Sequence, residues 1–339
     1  MSSKNIDSQI RHDIEDLFTV VGTKDEEFEK LDAVPYSYWR STFRRLFKNP
    51  VAIICIILLV VLLFFTIFGP LMRSYNIYNR HGKLIEYPYF DPDNPTYRDT
   101  DVIYQGPSSI AWFGIGGEKM GYFAGQDLWT LVWKGTQFSL ILATTVALID
   151  TVLGIFIGAA WGYFRWLDPI MIEIRNFVSN VPSLLLYILL MNFLPRSFWT
   201  IVFVLCMFGW LGLASFIRNQ IIIIRNREYN IASQTLGSSP YAMITHNLLP
   251  YLVSVIVTVI STAIPAGISA EVGLAFFGLS FQPMQQVTLG QILTEATKDN
   301  WTKHPYLLLA PMVVMVPLTI AFFYLGLALS DATDPKTHR

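Results

Sequence analysis

Six apolar runs, each about as long as a membrane is thick, constrain this chain more than any other feature. They cover residues 51–69, 136–164, 176–195, 197–217, 248–270 and 305–330. A helix crosses the hydrocarbon core in about 20 residues. Five of the runs carry no charged side chain, and the second carries one, Asp150. Lipid admits only helices or closed barrels, because every backbone polar group must find a partner within the protein. Barrel strands alternate apolar and polar residues over about ten positions. These runs are apolar on all sides, so the expected class is an all-α polytopic membrane protein with six transmembrane helices.

Charge sets the expected orientation. Arg40, Arg44, Arg45 and Lys48 crowd the entry to the first run, and only Arg73 lies close beyond it. The positive-inside bias places the N-terminus in the cytoplasm, and six crossings return the C-terminus there. Arg218, Arg225 and Arg227, read as the loop after the fourth run, fall on the same side. Trp39, Trp133, Trp161, Trp166 and Trp199 sit near expected span ends, where amphipathic rings prefer the headgroups. The organisation read from the sequence is a cytoplasmic tail over 1–49, a first span over 50–70, an extracytoplasmic segment over 71–135, a five-helix core over 136–330 and a cytoplasmic tail over 331–339. A second external loop is expected over 279–304. Pro265, Pro311 and Pro317 are expected to kink their helices.

The chain lacks the motifs of common enzymes. It has no GxxxxGK[ST] phosphate loop, no HExxH and no CxxC. Its five histidines are scattered, so no metal site is expected. Cys55 and Cys206 lie inside apolar runs and read as buried thiols. With only 14% charged residues and a net charge of -1, there is no basic block suited to nucleic acid. No bound cofactor is expected. If transport is active, its energy must come from another subunit.

One polar stretch stands out between two apolar runs: EYNIASQTLGSSPYAMITHNLLP, residues 228–250. Ile231, Ala232, Thr235 and Leu236 share one face of a short helix. Gly237 can end that helix in a left-handed cap. Ser239 suits an N-cap and Pro240 a first helical position, so a second short helix is expected from Tyr241 to Asn247. The small residues Ala232, Ser233, Gly237 and Ser238 would let another surface approach. The stretch reads as a helix–turn–helix elbow suited to lying in a groove of a partner, or as an ordinary interfacial loop.

Within the membrane, Asp150 is the costliest residue and reads as facing a pathway or a neighbouring helix. Glu271 lies near the external end of the fifth run and reads on its own as an interfacial carboxylate. Asn180 and Asn192 in the third run read as interhelical hydrogen-bonding groups or pathway contacts.

The elbow resembles the E-A-A-x3-G-x9-I-x-L-P loop of ABC importer permeases through Ala232, Gly237, Leu249 and Pro250. It departs at Ile231, Ser233 and Asn247. The resemblance extends to the C-type permease subunit of dipeptide and oligopeptide importers. GQD at 125–127, GTQFSL at 135–140, REYNIAS at 227–233, SAEVGLAFFGLS at 269–280 and GLALSDATDPKTHR at 326–339 are similar to that family's motifs. The segment from Tyr75 to Gly106 is longer than expected for the family. The resemblance implies the type I ABC importer permease fold, with the coupling loop over 226–247. It implies that Glu228, Tyr229, Ala232, Ser233, Leu236, Gly237, Ser238, Pro240 and Tyr241 engage an ATPase. The place of Glu271 in the SAEVGLAFFGLS stretch implies a gate or packing role, so Asp150, Asn180 and Glu271 are the candidate pathway or gate residues. The implied partners are a homologous second permease, two cytoplasmic ATPase subunits carrying ATP and Mg, an extracytoplasmic substrate-binding protein and a peptide, in a bacterial cell membrane. Two rivals stay open. One is a nickel or other small-solute permease, and the other is a proton-coupled secondary transporter working through Asp150 and Glu271.

Overall fold

The computed structural model describes residues 38–72, 77–78, 84–85, 104, 106–109, 111–117, 120, 126–280 and 287–333. A short helix α1 (Tyr38–Leu46) precedes α2 (Pro50–Phe68). Asn49 caps α2 by accepting from the Val51 amide at 3.0 Å, and Pro50 takes the first helical position, where a missing N–H costs nothing. Two-residue strands β1 (Ile77–Tyr78) and β2 (Leu84–Ile85) pair antiparallel. Most of 75–106 within the expected extracytoplasmic segment lies outside the described residues.

The long helix α3 (Leu128–Tyr163) starts eight residues before the expected span. Asp127, from the GQD motif, is its N-cap. Its Oδ2 accepts from the Thr130 amide at 3.1 Å and the Thr130 hydroxyl at 2.8 Å. Trp129 then donates to the Gly69 carbonyl at 2.8 Å, and Phe65 stacks on Trp133 with ring centres 5.4 Å apart. Gln137 donates to the Thr66 carbonyl. These contacts bind the end of α2 to the start of α3.

The third expected span is corrected. It is two helices, α4 (Leu167–Asn180) and α5 (Ser183–Phe193), bent by 86° at the break. Pro182 explains the break, because proline disfavours helical geometry at the residue before it. Val181 is accordingly extended, with ψ 128. Among the described residues five helices are long and apolar enough to span a membrane, or up to six if the bent pair counts as one.

The fourth helix, α6 (Phe198–Arg225), runs past the expected end of its span. Arg218 and Arg225 therefore lie on a helix and not in a loop, a second correction. Small residues set the α3–α6 packing. Gly154, Gly158 and Gly162 recur every four residues on α3, and a Cβ placed on each would meet α6 atoms at 2.7, 2.6 and 2.8 Å. Small-xxx-small ridges of this kind let two backbones approach without a hydrophobic driving force.

After α6 come α7 (Glu228–Thr235) and α8 (Pro240–Ala242). A π-helical turn (Met243–Leu248) and a 3₁₀ turn (Pro250–Leu252) lead into α9 (Val253–Phe276). The second leg of the elbow is thus the start of one helical run, longer than the expected Tyr241–Asn247 helix. The segment over 279–304, expected as an external loop, contains α10 (Leu289–Lys298), closed at its start by a Thr288–Gln291 capping box. α11 (Tyr306–Thr333) is the last helix among the described residues, with Pro311 and Pro317 inside it, as Pro265 lies inside α9. The main core joins Leu59 and Leu62 of α2, Val132 and Trp133 of α3, Ile268 of α9, Ile292 of α10 and Leu318 of α11.

Candidate functional site

The elbow is held by short-range hydrogen bonds. The Asn230 side chain is buried and donates to the Ile224 carbonyl at 2.9 Å, which fixes α7 against the end of α6. α7 closes in a Schellman cap. The Ser238 amide bonds to the Ser233 carbonyl at 3.1 Å and the Gly237 amide to the Gln234 carbonyl at 3.0 Å. Gly237 has φ +86, a left-handed conformation that side chains resist. Ser239 then caps the second leg by accepting from the Ala242 amide at 3.3 Å. Asn247 bridges the legs, its amide nitrogen 3.3 Å from Asn230 Oδ1 and 3.4 Å from Ser233 Oγ.

Beneath this frame lies an apolar anchor of Ala159 from α3, Ile217, Ile221 and Ile224 from α6, and Leu248 and Leu252. What faces outward is different in kind. Tyr229, Ile231, Leu236 and Tyr241 are exposed, Leu236 at 87% and Tyr241 at 74%. Of the residues expected to engage a partner, Glu228, Tyr229, Ala232, Leu236, Gly237, Ser238, Pro240 and Tyr241 are exposed and Ser233 is half-buried. The sequence reading missed Asn230 and Asn247. Asn247 counted only as a departure from a motif, yet a polar side chain seven residues into a helical leg is the signal that could have found it.

Asp150 projects from α3 towards α6, where Gly209 leaves the space that its carboxylate fills. Its Oδ1 is buried and has no hydrogen-bond partner among the described residues. Asp150 lines a cavity of about 300 Å³ with Tyr187, Gly209, Thr262, Ala266 and Gly267. Tyr187 also lines a larger cavity of about 710 Å³, formed at the α4–α5 break with Arg175, Ser179, Ser183, Ser215 and Asn219. These polar residues escaped the sequence reading, although Arg175 and Ser179, and Ser215 and Asn219, are each one helical turn apart. Asn180 is exposed at the end of α4 beside this cavity and does not line it. Asn192 bonds to the Ile188 carbonyl of its own helix at 2.8 Å, so its expected interhelical role is corrected.

Glu271 is 3% exposed and packs between three helices. Ser139 of the GTQFSL motif donates to Glu271 Oε2 at 3.1 Å and accepts from the Leu289 amide at 3.0 Å. Gly290 lies so close that an added Cβ would stand 2.8 Å from Glu271 Oε1. A carboxylate beside the first amides of α10 is favourably placed, because those amides have no partner within their own helix. Glu271 thus ties α3, α9 and α10, and does not line the cavity that holds Asp150. Among the described residues no group of His, Cys, Asp and Glu could hold a metal.

Fold and site together define a multi-pass helical membrane protein with one locked, outward-facing elbow and polar cavities between its helices. The chain belongs to the family of inner membrane components of binding-protein-dependent transport systems, whose sequence profile matches residues 150–339. Residues 37–107 match the N-terminal TM domain of oligopeptide transport permease C. That match runs through Tyr75–Gly106, so this segment, which the motifs alone left unexplained, falls within a family pattern. Among relatives, the oligopeptide transport system permease protein AmiD of Streptococcus pneumoniae is 33% identical over 322 residues, 95% of this chain and 97% of the relative. The dipeptide transport system permease protein DppC of Bacillus subtilis is 29% identical over 323 residues, 95% of this chain and 93% of the relative. The oligopeptide transport system permease protein OppC of Bacillus subtilis is 27% identical over 312 residues, 92% of this chain and 94% of the relative.

Proposed function

We propose that this chain is one permease subunit of an ATP-driven importer of di- or oligopeptides in a bacterial cell membrane. A homologous second permease supplies the other half of the pathway. Two cytoplasmic ATPase subunits carry ATP and Mg, so this chain binds no cofactor and performs no catalysis. A binding protein on the opposite face delivers the peptide. The elbow of α7 and α8 faces the cytoplasm with both termini.

The observation that carries this reading is the contrast within the elbow. Its frame is closed by Asn230, Asn247, Ser239 and the Schellman cap, while Tyr229, Ile231, Leu236 and Tyr241 stay exposed. A rigid frame bearing uncovered apolar side chains is suited to filling a groove on another protein. Anchored to α3 and α6 by the Ile217–Leu252 cluster, it passes ATPase motion to the spans. The printed names of the relatives support peptides as the substrate class. The cavity at the α4–α5 break, with Asp150 in the cavity that shares Tyr187, is the part of the pathway this subunit contributes.

The test is co-purification of the ATPases with Gly237→Val and Ala232→Glu. Gly237→Val forces a left-handed residue to carry a branched side chain, at a cost of about 1–2 kcal/mol. Both variants are expected to reach the membrane, to hold their ATPases weakly and to lose peptide uptake. Wild-type ATPase retention and peptide-stimulated hydrolysis in both would sink the coupling reading.

A further inference from the structure

A second polar cluster lies near the elbow end of α3 and α6, and nothing above uses it. Three guanidinium groups, from Arg165, Arg218 and Arg225, line a cavity of about 400 Å³ with Asp168, Trp161 and Ile222. Three arginines against one carboxylate leave two positive charges in excess. Two of the arginines are fixed in place. Arg218 forms a two-point ion pair with Asp168, at 2.9 Å from Nε and 2.7 Å from Nη2, and lies 5.6 Å over the Trp161 ring. Trp161 in turn donates to Asp168 at 2.8 Å. Arg225 donates from Nη1 alone to the Gly162 and Tyr163 carbonyls, at 2.8 and 2.9 Å. Arg165 is exposed, and its guanidinium makes no hydrogen bond or ion pair among the described residues, although its carbonyl accepts from the Asp168 amide at 3.3 Å.

The depth and surroundings of this cavity point to lipid. Phe198 and Arg218 stand twenty residues apart on α6, about 30 Å at 1.5 Å per residue, which matches the thickness of the hydrocarbon core. The arginines therefore lie at headgroup level. Beside Arg165 begins an apolar stripe on α4, with Trp166, Ile170, Ile174 and Phe177 all exposed. An unpartnered cation, preset cationic neighbours and an adjoining exposed apolar ledge match the two ends of one molecule, an anionic head and its acyl chains. Basic pockets between transmembrane helices bind acidic lipid headgroups in this way.

We propose that Arg165, Arg218 and Arg225 form a binding site for the phosphate group of an acidic phospholipid, with its acyl chains lying along the α4 stripe. Arg165 supplies the free donor. Asp168 orients Arg218 and limits the net charge of the pocket.

The assembled transporter, purified with its partners, is placed in nanodiscs of phosphatidylcholine with a graded fraction of phosphatidylglycerol, and retained lipid is read by native mass spectrometry. Wild type is expected to retain phosphatidylglycerol in preference to phosphatidylcholine. Arg165→Gln, which breaks no internal contact, is expected to weaken retention about five-fold, the usual effect of one basic residue at an anionic surface. Arg165→Lys is expected to restore most of it. A parallel arm adds inorganic phosphate to lipid-depleted complex. Thermal stabilisation there that depends on Arg165, without preferential lipid retention, would assign the site to free phosphate and overturn the lipid. Equal phosphatidylglycerol retention in wild type and Arg165→Gln, with assembly intact, would overturn the site altogether.

Discussion

The elbow and the α4–α5 break both interrupt helices, yet they are built in opposite ways. At the elbow, the interruption is closed by residues within a few positions of one another: Gly237, Ser238 and Ser239 complete their bonds with Gln234, Ser233 and Ala242. At the break, Pro182 leaves the chain bent by 86° beside a cavity of about 710 Å³, and the lining comes from α4, α5 and α6. The first is a locally closed surface, which under the proposed coupling role would receive a partner protein. The second is an opening whose shape depends on how distant helices pack. A transporter needs both: a stiff element to receive force, and a compliant one that a substrate can pass.

The largest effect is expected where the compliant half meets its rigid support. A Cβ at Gly158 would stand 2.6 Å from the Ala214 carbonyl, a backbone atom that cannot turn aside. Gly158→Leu should separate α3 from α6 at a cost of about 1–3 kcal/mol or more. The expected outcome is loss of folded, assembled complex on size-exclusion chromatography. Normal yield and thermal stability would mean that the glycine ridge does not set the helix spacing.

Asp150 offers a narrower test of the opening. Asp150→Asn keeps shape and hydrogen-bonding capacity while removing any charge. If Asp150 receives the ammonium end of a peptide, uptake should fall about tenfold, the equivalent of ~1.4 kcal/mol, with ATPase assembly unchanged. Gly209→Ala should produce the same defect by displacing the carboxylate from the space it fills. Wild-type uptake in Asp150→Asn would make the residue structural.

The smallest effect is expected at Asn247. Asn247→Ile restores the residue of the family pattern but removes the bridge to Asn230 and Ser233. A single such bond contributes about 1 kcal/mol. The variant should keep its ATPases and show a modest drop in peptide-stimulated over basal hydrolysis. A loss as complete as that expected of Gly237→Val would mean the two legs depend on Asn247 more than on the turn.

The same division explains what could be read from the sequence. The elbow was legible because its signals are local: glycine for a left-handed turn, serine for a cap, proline for a first position. The long apolar runs were legible for the same reason, whereas Asp127, read only as part of the GQD motif, shows its role as a cap in the structure. The third span was misjudged because hydropathy outweighed Pro182, whose effect falls on the residue before it. The α3–α6 ridge was present as Gly154, Gly158 and Gly162, but its meaning depends on Ala214 and Leu213 some fifty residues away. The pairing of Ser139 with Glu271 joins two motifs that stand 132 positions apart, and periodicity within one helix does not reveal it. Arg218 and Arg225 were assigned to a loop because charge was taken to end a span, whereas arginine at a helix end reaches the headgroups from within the helix.

The central claim is that the exposed face of α7 is where the ATPase engages. Leu236 stands furthest out of that face, and the two native thiols, Cys55 and Cys206, are buried. Leu236→Cys, in a background with both native cysteines replaced by alanine, can be coupled to a short photoactivatable cross-linker in the assembled transporter. The account predicts cross-linking from residue 236 to the ATPase subunit, with a yield that changes when ATP is added. Absence of any ATPase cross-link from residue 236 in an active complex would contradict it.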